Sequence, residues 1–420
     1  MAAFDSTEQR SVSSRRGGIV AFIGLAAVLF TPSAMRFAIG GASLTVGLLT
    51  ACAAIIAMGL AGFYRLQGGR YWSVTLVTIT VVVLIIVAQG SIASLWFPPD
   101  MGRAGGSLIV AVVMVICAYL VRTILDQADN DALDTVMVWM GGLFLLIALC
   151  SLAGLEPAGF GLAKPIFPFT EPSHFALSFT PFLIYHCVRS PLIWKIILLT
   201  IALAMAYFLE SLSLVTAVMV AALCSLSGPL LIAGMVSGAI VIANINVSYF
   251  TDRLDFTVNS GNLSVLVYIQ GVELIEAAVH ETQGWGIGFQ QLGVAPLNVP
   301  TTELIYRLLR DDANLLDGGF LAAKLIAEMG YIGMVLVLAY TYLAIRATFL
   351  LRRLSNGDRQ GRAHELLALS IIVALSIETF VRGVGYFSGT VLLLVTAVMM
   401  TVEGGYLTRR PSPGTKEEPA

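Results

Sequence analysis

Residues Tyr249–Gly319 read YFTDRLDFTVNSGNLSVLVYIQGVELIEAAVHETQGWGIGFQQLGVAPLNVPTTELIYRLLRDDANLLDGG, the one long polar stretch in a chain that otherwise alternates apolar runs with short connections. Structureless connections beyond about 12–15 residues are usually functional or disordered. Disorder does not suit this one, because apolar residues recur at helical spacing from Leu263 to Thr282 and low-complexity runs are few. It reads as a folded cap over a membrane-embedded site.

The chain around it belongs in lipid. Of 420 residues, 57% are hydrophobic and only 12% charged, with a mean hydropathy of +0.87. Soluble domains carry about 25% charged residues, so a soluble enzyme is excluded and a polytopic membrane protein is expected. The net charge of −2 carries no nucleic-acid footprint. Cys52, Cys117, Cys150, Cys187 and Cys224 all sit in apolar runs without CxxC spacing, and read as small core residues. Arg15–Arg16 before an apolar run resembles a signal peptide, but further spans follow and no cleavage site does, so a retained first helix is expected.

Apolar runs of spanning length fall near 17–34, 37–62, 71–97, 106–125, 135–155, 173–189, 192–209, 211–227 and 229–249, then 318–346, 365–381 and 386–404. The fold class is therefore all-α and polytopic, with about twelve transmembrane helices of roughly 20 residues each, or eleven if 192–249 holds one fewer. Breaks in that region are expected at Glu210–Ser211 and Gly228–Pro229. The organisation is a tail (1–16), N-terminal membrane helices (17–249), the large loop (250–317), C-terminal membrane helices (318–404) and a second tail (405–420). With both termini cytoplasmic, sixteen of the 24 Lys and Arg residues fall inside, many of them in the 346–364 connection. That is the positive-inside bias, and it turns the large loop, the 156–172 connection and the 382–386 turn outward. Matching interrupted helices in two halves, the mark of a transporter repeat, are not found.

Three outward stretches carry chemistry. In Phe167-Pro-Phe-Thr-Glu171-Pro-Ser-His174-Phe-Ala, Pro172 and Ser173 suit a helix start. Glu171 and His174 are then either a plain helix cap or part of a site favouring anions. In the large loop, Gln270, Glu273, Glu276 and His280 share one stripe of an amphipathic helix lying on the membrane surface, most simply a solvated face. Gly284-Trp-Gly-Ile-Gly288 lacks the strand and the lysine of a phosphate loop. It is a tight turn or a close approach to substrate, with Trp285 a face for a sugar ring. Glu303 and Arg307, like Tyr306 and Arg310, stand four apart and can simply support a short helix. The third stretch, Glu378-Thr-Phe-Val-Arg382-Gly-Val-Gly-Tyr386, places an ionisable side chain inside an apolar run, a functional candidate by default. Lys324 and Glu328, also in apolar surroundings, are expected to neutralise each other. Arg253, Arg307, Arg310 and Arg382 stand on the side from which basic residues are normally excluded. A guanidinium grips phosphate with two parallel donors and cannot lose its proton, so the cluster suits a lipid-linked pyrophosphate.

The FTEPSHFA segment is similar to the glutamate–proline–serine motif of O-antigen and capsule repeat-unit polymerases (Wzy-type) of the O-antigen polymerase/ligase superfamily. Asp252-Arg253-Leu, Asn262-Leu-Ser, Val267-Tyr-Ile-Gln-Gly271, Gly284-Trp-Gly-Ile-Gly-Phe-Gln-Gln-Leu-Gly293, the run from Asp317-Gly-Gly to Met329-Gly330 and the Glu378…Arg382-Gly-x-Gly-Tyr386 turn follow in the same order, over about 165–400. The resemblance implies a glycosyltransferase of the bacterial inner membrane that works at the periplasmic face. It would transfer a growing glycan from undecaprenyl pyrophosphate to the next lipid-linked repeat unit, with no cofactor and no metal. It also implies a chain-length-regulating membrane protein and a flippase as partners. The related ligases carry a histidine shortly before the helix after the loop, where this chain reads Asp312-Ala-Asn314-Leu-Leu-Asp317, and this favours polymerase over ligase. A flippase or transporter would gather polar residues at the midplane instead of at one face. The candidates for orienting or deprotonating the acceptor hydroxyl are Glu171, His174, Asp317 and His280. Of these residue types, histidine has the best-suited intrinsic pKa, about 6.5. Arg253, Arg307, Arg310 and Arg382 would hold pyrophosphate, and Trp285, Tyr306 and Tyr386 would stack on sugars.

Overall fold

The computed structural model describes residues 2–39, 43–65, 70–155, 166–234, 262–309, 318–357 and 361–407. Among them are fourteen helices and no strand: α1 Ala2–Ile39, α2 Leu44–Leu60, α3 Arg70–Ala93, α4 Met101–Asp126, α5 Asn130–Leu152, α6 Pro172–Arg189, α7 Leu192–Phe208, α8 Leu212–Ser225, α9 Leu263–Glu281, α10 Pro300–Leu309, α11 Leu321–Met329, α12 Tyr331–Asn356, α13 Ala363–Phe380 and α14 Gly389–Gly404. Seven segments are long and apolar enough to cross a membrane: Ser14–Arg36, Trp72–Ala93, Met101–Asp126, Asn130–Leu152, Leu263–Glu281, Tyr331–Asn356 and Ala363–Phe380. Leu44–Leu60, Leu192–Phe208, Leu212–Ser225 and Gly389–Gly404 are apolar but shorter. The chain is an all-helical, membrane-embedded protein.

Its centre is α13, 83% of whose apolar window is buried within the protein, against 11% for α3 and α12. Packed around α13 are α6, α12 and α14, with α4 behind α14 and α8 behind α6. The outer faces of α3, α7 and α12 leave Leu76, Leu84, Trp194, Leu203, Leu338 and Phe349 exposed, as lipid-facing side chains should be. Inside lipid, helices associate by close packing more than by expulsion of water, so small residues sit where they cross. A Cβ at Gly47 would lie 2.5 Å from Pro32 Cα, and one at Gly389 would lie 2.3 Å from Val28 O.

One expected break is found and two expectations change in detail. The break at Glu210–Ser211 is present, with Glu210 at φ 49 and Ser211 Oγ capping Leu214 N at 3.3 Å. The 318–346 run is not one helix, because Gly330, at φ +57, ends α11 and starts α12. The loop carrying Gly284 enters at that point: Tyr331 N donates to Gly284 O at 2.8 Å, and a Cβ on Gly330 would lie 2.1 Å from that carbonyl. The stretch read as a surface helix, α9, is itself long and apolar enough to cross, and it packs on α10 and α11. The 235–261 stretch, with the end of the expected ninth span, lies outside the described residues.

The bundle has two polar ends. At one, Ser14 Oγ donates to Asp129 Oδ2 (2.6 Å), Arg16 Nη2 to Gly62 O (3.2 Å), and Ala363 N to Asn130 Oδ1 (2.9 Å). Arg189, at the foot of α6, pairs with Asp134 at the start of α5. The head of α6, with Glu171 and His174, is therefore at the opposite end.

Candidate functional site

The chain is anchored just before α6. Phe169 N donates to Ile166 O at 2.8 Å, and the buried Phe169 ring lies 5.7 Å from Phe30, 6.1 Å from Phe144 and 5.7 Å from Phe175. Proline at the first helical position then starts α6. Glu171 occupies the N-cap position, yet its carboxylate makes no cap hydrogen bond. It turns instead to His174, whose Nε2 lies 3.1 Å from Oε1, and to Arg382, whose Nη2 lies 3.2 Å from Oε1 and 3.4 Å from Oε2. The other ring nitrogen of His174, Nδ1, lies 2.9 Å from Thr170 Oγ1. The plain-cap account of Glu171 is therefore set aside. Burial pushes its carboxyl pKa up, but the His174 hydrogen bond and the Arg382 charge outweigh that and hold it well below the ordinary glutamate range.

Arg382 reaches this point from the other side of the bundle. It follows the end of α13, where its N–H and that of Val381 both return to Ile377 O, at 3.0 and 2.8 Å. Gly383 N then bonds Gly319 O at 2.8 Å. The loop is thus fastened on both sides of the arginine. Among the described residues only Nη2 of the guanidinium is engaged, which leaves Nε and Nη1 as donors.

His174 borders a small cleft, of about 30 Å³, between α1, α2, α6 and the head of α14, lined also by Leu29, Ser33, Ser388 and Thr390. Behind Thr390 lies Glu378, fully buried, accepting from Ser388 Oγ at 3.1 Å and from Thr390 Oγ1. The ionisable side chain singled out in the apolar run is thus held by two hydroxyls from the next helix.

The Gly-Trp-Gly-Ile-Gly turn packs tightly against the protein itself. It docks on the α11–α12 junction, with Ile287 N donating to Ala327 O (3.1 Å) and Gly288 N to Glu328 O (2.9 Å). Gly286, at φ +78, has no space for a side chain, since a Cβ would lie 2.5 Å from Glu328 O. The buried Glu328 carboxylate accepts Gln290 N at 2.9 Å and Leu292 N at 3.2 Å. Its role is thus more than to neutralise Lys324, which lies with Nζ 5.6 Å from the Tyr386 ring centroid. Tyr386 is buried and stacked on Phe289 at 5.3 Å, so the expectation of a free sugar-stacking face there gives way to a packed ring. Trp285 meets Tyr331 edge-on at 6.2 Å and is 37% exposed, which keeps it available.

The remaining expectations divide. Glu273 is half-buried and more than a solvated residue: its Oε2 accepts Thr301 N at 3.0 Å at the start of α10, and Gln270 Nε2 donates to Thr302 Oγ1 at 2.8 Å. Glu276 and His280 are exposed on α9. Arg307 pairs with Glu303 at 3.0 Å on the exposed face of α10, the helix-supporting arrangement. Arg253, Arg310 and Asp317 lie outside the described residues. Among the described residues no three His, Cys, Asp or Glu side chains gather as a metal site.

Sequence reasoning missed Thr170, Ser388, Thr390 and Gln89. Gln89, buried on α3, donates through Nε2 to Trp285 O at 3.0 Å and Glu328 O at 2.7 Å, and so ties α3 to the docked loop. An amide inside an apolar span was the available signal. Hydroxyls flanking a carboxylate at sequence separations of 10 and 12 give none. Compared with models of known families and with curated proteins, the chain matches none.

Proposed function

We propose that this protein is a repeat-unit polymerase of the bacterial inner membrane, a glycosyltransferase that moves a glycan from undecaprenyl pyrophosphate onto the next lipid-linked unit at the periplasmic face. The observation that carries the reading is Arg382 held against Glu171 by one nitrogen, with its other donors unengaged among the described residues, and Glu171 in turn bonded to His174, which borders a small cleft. Breaking a sugar–pyrophosphate bond concentrates negative charge on the leaving group, and a fixed guanidinium meets that charge without reorganising. Glu171 orients Arg382, and His174 supplies the base chemistry that the attacking sugar hydroxyl requires. The topology of about twelve spans, or eleven, the cytoplasmic termini and the partnership with a flippase and a chain-length regulator belong to this proposal. So do the pyrophosphate-binding roles of Arg253 and Arg310.

The test is the lipid-linked glycan profile of a strain lacking the gene. Accumulated single repeat units with loss of long surface polymer is the expected result. Full-length polymer stranded on undecaprenyl pyrophosphate would indicate a ligase instead, and single units trapped on the cytoplasmic side a flippase. An unchanged profile would refute all three.

A further inference from the structure

Both nitrogens of the His174 ring are occupied, Nδ1 by Thr170 Oγ1 at 2.9 Å and Nε2 by Glu171 Oε1 at 3.1 Å. The partners fix which atom donates. Glu171 is ionised beside Arg382, and an ionised carboxylate can only accept. Nε2 therefore carries a proton, and in the neutral ring Nδ1 presents its lone pair. The Thr170 hydroxyl must then be the donor to Nδ1. After donating, a hydroxyl oxygen still has lone pairs with which to accept. Thr170 is half-buried and adjoins His174, which lines the cleft.

We infer that Thr170 is the group that meets the acceptor sugar: its Oγ1 takes the proton of the attacking hydroxyl while its own proton passes to His174 Nδ1. The inference rests on the polymerase reading and deepens it. A hydroxyl, an imidazole and an orienting carboxylate in hydrogen-bonded sequence form the arrangement that activates a nucleophile. Here it acts on an incoming hydroxyl and not by bonding Thr170 to the sugar. The one lone pair of the His174 ring, on Nδ1, is turned to Thr170, and Glu171 is committed to Arg382 and to the ring. In the step, a bond forms between the acceptor oxygen and the anomeric carbon. The bond from that carbon to the pyrophosphate oxygen breaks, and its electron pair leaves with the pyrophosphate beside Arg382. The proton rests on His174 as imidazolium, opposite the Glu171 carboxylate, and is then released to water.

The experiment uses the full chain in lipid nanodiscs with synthetic undecaprenyl-pyrophosphate-linked repeat units. Thr170→Val keeps the shape and removes the hydroxyl. It is expected to lower kcat by about 10²–10⁴-fold, the usual contribution of positioned proton transfer. KM should change little, because an interaction made only in the transition state is lost. Thr170→Ser is expected to restore most of the rate. An unchanged kcat in Thr170→Val would overturn the relay.

A second measurement is independent of turnover. With 4 histidines in the chain, selective ¹⁵N-histidine labelling gives a readable spectrum. The wild type should show His174 protonated on Nε2, and Thr170→Val should shift only its Nδ1 resonance. His186, bonded to Met137 O at 2.9 Å, and His364, bonded to Leu125 O at 3.1 Å, report that the variant is folded. A proton on Nδ1 of His174 overturns the relay whatever the activity. A wild-type protein that extends no glycan while His174 keeps its proton on Nε2 overturns the polymerase reading, and with it the sugar as proton donor.

Discussion

Replacing Glu328 by Gln should loosen the docked loop without unfolding the bundle. The carboxylate uses one oxygen for Gln290 N at 2.9 Å and the other for Leu292 N at 3.2 Å. Glutamine offers one carbonyl oxygen and one amino group, so one bond is kept in neutral form. The other becomes two donors facing each other. Hydrogen bonds to charged acceptors contribute about 1.5–3 kcal/mol and neutral ones about 0.5–1.5, while an orphaned buried donor costs about 1–3. Against this, the variant no longer buries a charge, which offsets part of the loss. The net is about 2 kcal/mol, which corresponds to a roughly 30-fold larger opening constant for the loop. Hydrogen exchange of the peptide containing Gln290 and Leu292 measures it directly. Exchange should accelerate by about that 30-fold factor at these two amides, while the buried amides of α13 stay protected. Glu328→Asp, which retains the charge on a shorter arm, should fall between. Exchange at Gln290 and Leu292 unchanged in Glu328→Gln would refute the idea that this carboxylate clamps the loop. Phe289 stacks on Tyr386 from the same loop, so that ring pair should loosen with it.

Gly286→Ala should be worse than its size suggests. Its φ of +78 costs a non-glycine residue about 1–2 kcal/mol. The added Cβ, 2.5 Å from Glu328 O and from Gly330 N, meets backbone that cannot step aside, so undocking of the 284–292 turn by limited proteolysis is the expected readout. Arg382→Lys keeps a charge and loses the fork, and removing one preorganised donor from a developing oxyanion typically costs about 10²–10³ in kcat. Rates equal to wild type in Arg382→Lys and Arg382→Ala would dismiss the pyrophosphate role. The stability contributed by Glu171 depends on pH with a defined sign. Its folded-state pKa lies below the ordinary value of about 4.3, so the contribution is complete above about pH 4.3 and is lost as pH falls through the depressed value. The difference in melting temperature between wild type and Glu171→Gln should shrink as pH falls below that point. A difference that persists unchanged through that acid range would contradict a carboxylate held ionised by its partners.

What the chain alone decided concerns properties that lie along it. Apolar runs of spanning length mark a membrane protein because lipid admits backbone only with its hydrogen bonds closed within each helix. Pro172 starts α6 at its first helical position, and the chain breaks at Glu210, because proline geometry and caps are local. Partnerships between side chains are not local, and only the folded structure decided them. Glu171 and Arg382, 211 residues apart, meet because α6 and the end of α13 are neighbours in the bundle. Helical spacing put Glu273 on a polar stripe, but the docking of α10 made that carboxylate an acceptor for Thr301 N. The four-residue interval between Lys324 and Glu328 suggested a pair, and the backbone amides of an incoming loop claimed the carboxylate. Periodicity reports which face of a helix a residue occupies. What stands opposite that face depends on the packing of segments far away in the chain, and there the role of each polar group at this site was fixed.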